Sequence, residues 1–275
     1  MCELMGLSFA RPISADFSIR SFALRCQDNA DGWGLGWYPD HSLALVKEPL
    51  EWRTSPVSGF LETYPGLLGS IYIAHVRHKT TGGKATHADT HPFARELGGQ
   101  DFCFAHNGTL LGAFWQLPLG CFRPVGNTDS EFLFCYLLGR MEAEGQVLSN
   151  ERGWHWLASQ LADLNRYGKL NCLLADGRRL FCYHDAAGFK GLHFRKVHVR
   201  DALRRFEDAD LRIDLAGEDV NQGFVIATHP LSSAGWQPVS CGELIVIEQG
   251  LVRFSSQRSV ESSEFGRVDA PGAQT

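Results

Sequence analysis

Apolar and β-branched residues gather into short runs closed by turn residues, and these runs set the expected elements. Residues 70–80, SIYIAHVRHKT, read as a strand that ends in polar residues. Residues 101–110, DFCFAHNGTL, read as a second strand that breaks at Asn107-Gly108, a pair ordinarily found in turns. Beyond Gly168, LNCLLADGRRLFCYH reads as a hairpin around Asp176-Gly177, and GLHFRKVHV, GFVIATHPL and GELIVIEQGLVRF read as further strands, the last as another hairpin. Helical stretches are expected over 14–26 with Ser14 as cap, from Ser55-Pro56, from Thr128 through Met141, and over 151–166. Thr128 and Glu131 have the spacing of a capping box, in which hydroxyl and carboxylate each satisfy an orphan amide. Helices grouped mid-chain with hairpins on either side predict an α+β fold with mostly antiparallel sheets, not alternating βαβ units.

Composition narrows the picture without changing it. The 275 residues are 44% hydrophobic and 21% charged, with a net charge of −5 and no dense basic run, so nothing points to nucleic acid. No signal peptide and no membrane-length apolar segment is seen, which leads us to expect a cytoplasmic protein away from the membrane. The eight cysteines include no Cys-x-x-Cys, and Cys103, Cys135, Cys172 and Cys182 sit among Phe, Leu and Tyr as small hydrophobes do. The expected organisation is one domain over 2–260 and a polar tail over 261–275.

Cys2 stands apart because of its position. If Met1 is removed, the Cys2 α-amine has a pKa of about 7.7–8.0, a few bonds from a thiol of about 8.5. One residue then supplies nucleophile and base, as N-terminal threonine does. The competing reading is an accidental residue beside the start. A thiolate attacking an amide makes an oxyanion, which needs donors. Asn107 has a side-chain amide, and Gly108 lets a backbone N–H come close; the competing reading is a simple turn. An amino-acid head needs a cation and an anion. Arg77 has the planar fork that suits a carboxylate, unless it is a surface salt bridge. Asp129 offers an anion, unless it only complements a helix dipole.

Cys2, then His75-Val76-Arg77 with Thr80 and Gly82, then His106-Asn107-Gly108, then Thr128-Asp129-Ser130-Glu131, in this order, resemble the class II glutamine amidotransferases, which are N-terminal nucleophile hydrolases. DGWGLGWY at 31–38, Ala227-Thr228-His229-Pro230-Leu231 and Trp236-Gln237-Pro238-Val239 look like a stand-alone bacterial branch related to the ergothioneine-pathway amidohydrolase and fungal glutathione-degrading amidotransferases. The resemblance implies a four-layer αββα sandwich with Cys2 opening a central strand. It implies Cys2 as nucleophile with its amine as base, Asn107 and Gly108 as the oxyanion hole, Arg77 and Thr80 on the substrate α-carboxylate, and Asp129 on the α-ammonium. No cofactor and no metal are expected. The substrate would be glutamine or another γ-glutamyl compound, with a separate ammonia-accepting synthase subunit as a potential partner. Two alternatives stay open: a γ-glutamyl hydrolase without ammonia transfer, and a non-catalytic glutamine-binding regulator.

Departures from the family pattern also appear. Synthase-linked members often read Arg-Trp-Ala-Thr-His-Gly where this chain reads Arg77-His78-Lys79-Thr80-Thr81-Gly82. His91-Pro92-Phe93 matches the loop before the Asn-Gly strand and is expected to support the site. Gly34 and Gly36 are expected to permit backbone turns, with Trp33 lining the pocket or packing. His75, His78, His87 and His91 could suggest metal, but i and i+3 at a strand end face opposite sides.

Overall fold

The structure, a computed structural model, describes residues 3–17, 31–51, 54–64, 67–77, 86–198, 205–207, 212–216, 222–230, 235–260 and 265. Among the described residues, fifteen strands form two antiparallel sheets. The first contains β1 (Glu3–Phe17), β2 (Gly32–Tyr38), β3 (Ala44–Glu48), β4 (Leu68–Arg77), β9 (His193–His198), β10 (Arg205–Glu207), β11 (Arg212–Ala216), β12 (Gln222–Ala227) and β13 (Gln237–Pro238). Its main path runs β13-β9-β12-β1-β4-β2-β3, so β1 is central. The second contains β5 (Phe93–Leu97), β6 (Gln100–Leu110), β7 (Gly168–Ala175), β8 (Arg179–Tyr183), β14 (Leu244–Glu248) and β15 (Leu251–Ser255), ordered β15-β14-β8-β7-β6-β5. The helices are α1 (Pro56–Thr63), α2 (Asp129–Ala143) and α3 (Glu151–Leu164).

Period-two alternation sorts the apolar side chains into three cores. Leu4, Ile71 and Ile73 meet Cys103, Ala105, Leu173 and Ala175 between the sheets. Met5, Leu7, Trp33, Leu35, Tyr72 and Val76 cover the other face of the first sheet with Leu61 of α1. Phe102, Phe104, Leu170 and Leu174 pack outward against Leu133, Leu137, Leu157 and Leu161 of α2 and α3. The layers are therefore helix, sheet, sheet, helix.

Both late hairpins form as expected, β7-β8 turning through Gly177 at φ +82° and β14-β15 through Gln249 and Gly250 at +51° and +67°. The helix starts also hold: Ser55 caps α1 with Pro56 in the first turn, and Thr128 caps α2.

Four expectations are corrected. Residues 14–17 are strand, not helix: Ser14 pairs with Ala216 and Phe17 with Ile213, so ladder bonds to a distant strand override the local cap signal, and 18–26 lie outside the described residues. β6 does not break at Asn107-Gly108, because β7 continues beside it, Asn107 opposite Asn171 and Gly108 opposite Leu170. The capping box is half formed. Thr128 Oγ1 accepts from Glu131 N–H at 3.2 Å, but Glu131 takes the Gly126 N–H at 2.7 Å and Arg95 at 2.5 Å.

Finally, Gly34 and Gly36 lie within β2 and make no turn. They leave room: a Cβ on Gly34 would stand 2.2 Å from the His91 carbonyl and 2.8 Å from Pro92 Cδ, and one on Gly36 would stand 2.8 Å from Cys103 Sγ. Their neighbours Trp33, Leu35 and Trp37 fill the opposite core, so Trp33 packs.

Candidate active site

β1 begins between two strands at one end of the sandwich. Glu3 pairs with Val76 and Leu4 with His75 in β4. On the other flank, Leu4 N–H donates to Thr228 Oγ1 at 3.3 Å and its carbonyl accepts from Thr228 N–H at 3.1 Å. The buried Glu3 carboxylate accepts from the Thr228 hydroxyl and lies 3.0 Å from His229 Nδ1. The residue that follows Cys2 is thus held from both sides. Cys2 and Thr80 themselves lie outside the described residues, as does His78.

Arg77 closes β4. Its Nη1 donates to the Asp89 carbonyl at 2.8 Å, and its own carbonyl accepts from Asp31 N–H at 2.9 Å. The Asp89 carboxylate accepts from Asn127 N–H at 2.8 Å and from Thr86 Oγ1 at 2.7 Å. That links the end of β4 to the segment entering α2.

Asn107 and Gly108 sit where β6 runs beside β7. Asn107 is buried and shares its side of the sheet with Ala105 and Cys103, toward β1 and β4. Gly108 has no room for a side chain, since a Cβ would lie 1.9 Å from the Lys169 carbonyl and 2.5 Å from His106 Nε2. Two residues on, Leu110 N–H donates to Asp129 Oδ2 at 2.7 Å, tying the end of β6 to the first residue of α2. Asp129 Oδ1 keeps a long 3.5 Å contact with Ser130 Oγ.

His106 has a definite task. Nε2 lies 3.1 Å from the Lys169 carbonyl, which can only accept, so this nitrogen carries the proton. Nδ1, 2.9 Å from Ser130 Oγ, then accepts from the hydroxyl. The imidazole joins β6, β7 and α2 beside Gly108. Burial lowers its pKa, opposed by the Asp129 carboxylate. The sequence hint was that His106 and Ser130 both lie inside the quoted motifs; their contact needs the fold.

His75 and His91 stack at 4.2 Å between ring centroids, with His91 edge-on to Phe93 at 4.6 Å. Both are buried, and their ring nitrogens have no hydrogen-bond partner among the described residues. Burial, with Arg77 adding to it, pushes the His75 pKa down to about 3; burial and His75 itself hold His91 well below its ordinary value. Two neutral rings therefore support the wall behind Arg77. Among the described residues, no group of His, Cys, Asp and Glu is placed to hold a metal ion, and no helix is long and apolar enough to cross a membrane.

Two facing antiparallel sheets between helical layers, with this cluster at one end, make a four-layer αββα sandwich. The model of the family described as glutamine amidotransferases class-II matches residues 1–269, and the chain belongs to that family. MJ1515, an uncharacterised protein of Methanocaldococcus jannaschii, is 38% identical over 262 residues, 94% of this chain and 72% of its own length. YafJ of Escherichia coli K12, a candidate glutamine amidotransferase, is 33% identical over 251 residues, 88% of this chain and 96% of its own. The crystal structure of a predicted glutamine amidotransferase from Pseudomonas aeruginosa PA01 superposes with a TM-score of 0.71 at 29% identity, covering 92% of this chain and 99% of that one. The glutamine PRPP amidotransferase of B. subtilis shares the fold at a TM-score of 0.61 and 18% identity, this chain matching 48% of it.

Proposed function

We propose that this chain hydrolyses the side-chain amide of glutamine with Cys2 as a free N-terminal nucleophile. One observation carries the reading. The bonds from Arg77 through Asp89 to Asn127 bring a guanidinium from the first sheet and the Asp129 carboxylate on α2 to the end of the sandwich where β1 begins at Glu3. That supplies a cation and an anion for an amino-acid head at this end of the sandwich.

In this reading the Cys2 thiol gives its proton to its own α-amine, and Sγ attacks the glutamine side-chain carbonyl. The Asn107 side-chain amide and the Gly108 N–H stabilise the oxyanion. The C–N bond then breaks, ammonia leaves with the proton held by the Cys2 ammonium, and a γ-glutamyl thioester remains. Water adds to the thioester, glutamate departs, and the thiol is restored. Arg77 holds the α-carboxylate together with Thr80, and Asp129 receives the α-ammonium through Oδ1.

The test combines two measurements on the purified chain. Mass spectrometry is expected to show a mature N-terminus at Cys2, and ammonia release from glutamine is expected to vanish in Cys2→Ala while the thermal unfolding transition stays in place. A retained Met1, or a Cys2→Ala protein that still releases ammonia at the wild-type rate, refutes the assignment.

A further inference from the structure

The two proposed head-group contacts stand on different parts of the fold. Arg77 ends a strand of the first sheet, while Asp129 starts a helix lying on the second. A two-point clamp on an amino acid works only if the distance between its points is fixed to a fraction of an ångström. A long arginine side chain does not fix itself, since ordering it costs rotamer entropy.

Asp89 supplies the missing constraint. Its backbone carbonyl takes one guanidinium N–H of Arg77 at 2.8 Å, which orders the fork and leaves its remaining donors for a ligand. Its carboxylate reaches the other way, to Asn127 N–H at 2.8 Å, two residues before Asp129. The turn between these ends is closed by Thr86, whose hydroxyl donates to Asp89 Oδ2 at 2.7 Å and whose carbonyl accepts from Asp89 N–H at 3.2 Å. Gly126 admits the connection, because a Cβ there would lie 2.5 Å from Asp89 Oδ1 and 2.9 Å from the Ala88 carbonyl.

We infer that Asp89 is the positioning residue that sets the spacing between the Arg77 and Asp129 contacts, and so selects ligands carrying an α-carboxylate and an α-ammonium together. This rests on the assignment of those two residues to the substrate head. Asp89 touches neither the substrate nor the reacting atoms.

The test uses binding, so it does not depend on turnover. Calorimetry compares L-glutamate, which presents both groups, with glutarate, which lacks the ammonium. The wild-type chain is expected to prefer glutamate by about tenfold or more, the factor expected of one charged hydrogen bond. Asp89→Ala cuts that preference to about twofold by weakening glutamate and sparing glutarate. Asp89→Asn keeps an Oδ1 acceptor for Asn127 N–H and retains most of it. Gly126→Ala attacks the same link from the opposite side and lowers the preference as Asp89→Ala does. An Asp89→Ala protein with the wild-type preference, or one that loses both ligands equally, overturns the inference. A wild-type chain that prefers glutamate but releases no ammonia from glutamine overturns the hydrolytic reading and leaves this one standing. A chain that hydrolyses glutamine while Asp89→Ala binds as wild type does the reverse.

Discussion

At the scale of single residues, buried polar groups divide into those with partners and those without. His106 spends both ring nitrogens on Ser130 and Lys169, whereas His75 and His91 have each other's faces and little else among the described residues. A buried imidazole without a partner resists protonation, because the charged form has lost its water. This has a consequence for stability with a definite sign. The unfolded chain takes up a proton at His75 as the pH falls through about 6.5, whereas the folded chain does so only near 3. The unfolded state therefore binds more protons throughout that window. The contribution is fully present above the unfolded value and is lost on acidification, by about 2 kcal/mol between pH 7 and pH 5 from His75 alone. His91 acts in the same direction. Urea unfolding at the two pH values should show this loss in the wild type and a loss smaller by about 2 kcal/mol in His75→Asn, whose amide does not titrate there. Equal losses in the two proteins would contradict the assignment of the pH dependence to this ring.

At the scale of elements, the sequence was legible where the signal was local. Gly177 and Gln249-Gly250 turn the late hairpins because short-range conformation demands positive φ, and Ser55-Pro56 and Thr128 start helices because a hydroxyl beside free amides is a local contact. It was not legible where a distant strand decided. Residues 14–17 follow the ladder of β11, and Asn107-Gly108 stays extended because β7 lies alongside. The site divides the same way. Its motifs can be read along the chain, but the link through Asp89 and the Ser130 contact of His106 exist only once β4, β6 and the start of α2 lie together. Glu131 shows the difference in energy. In a closed capping box it would satisfy one exposed amide. Here it is buried, accepts from Gly126 N–H and pairs with Arg95 of β5, so it fastens α2 to the edge of the second sheet. Thr128→Ala should cost about 1 kcal/mol, the ordinary loss of a cap. Glu131→Ala should cost about 3 kcal/mol, because it leaves Arg95 and the Gly126 amide without their partner. Chemical denaturation of both variants ranks them, and equal costs would mean that Glu131 is only a cap.

At the scale of the whole molecule, two sheets that meet mainly through aliphatic side chains need something directional to fix how they lie on each other, since apolar contact alone is tolerant of sliding. Arg258 is placed to do this. Its guanidinium reaches the fully buried Glu243 ahead of β14, with Nε 2.8 Å from Oε1 and Nη2 2.7 Å from Oε2, while Ser255 Oγ and Ser240 N–H complete the carboxylate. The same guanidinium lies 5.4 Å from the ring centroid of Phe194 on β9 and 4.7 Å from that of Phe265, which itself stacks on Phe194 at 5.7 Å. One side chain thus bonds a strand lead of the second sheet while packing on the first and holding Phe265 over the join. Removing it strands a buried carboxylate and opens the aromatic pair, so Arg258→Ala should lower the stability by about 3 kcal/mol. Arg258→Lys keeps the charge but loses the two-pronged bond, and should fall between. Because this fastening shares no residue with the bonds that hold Arg77 and Asp129, the glutamate-over-glutarate preference of the folded Arg258→Ala protein should equal that of the wild type. A preference that drops together with stability would show that the sheet-to-sheet register itself shapes the head-group clamp.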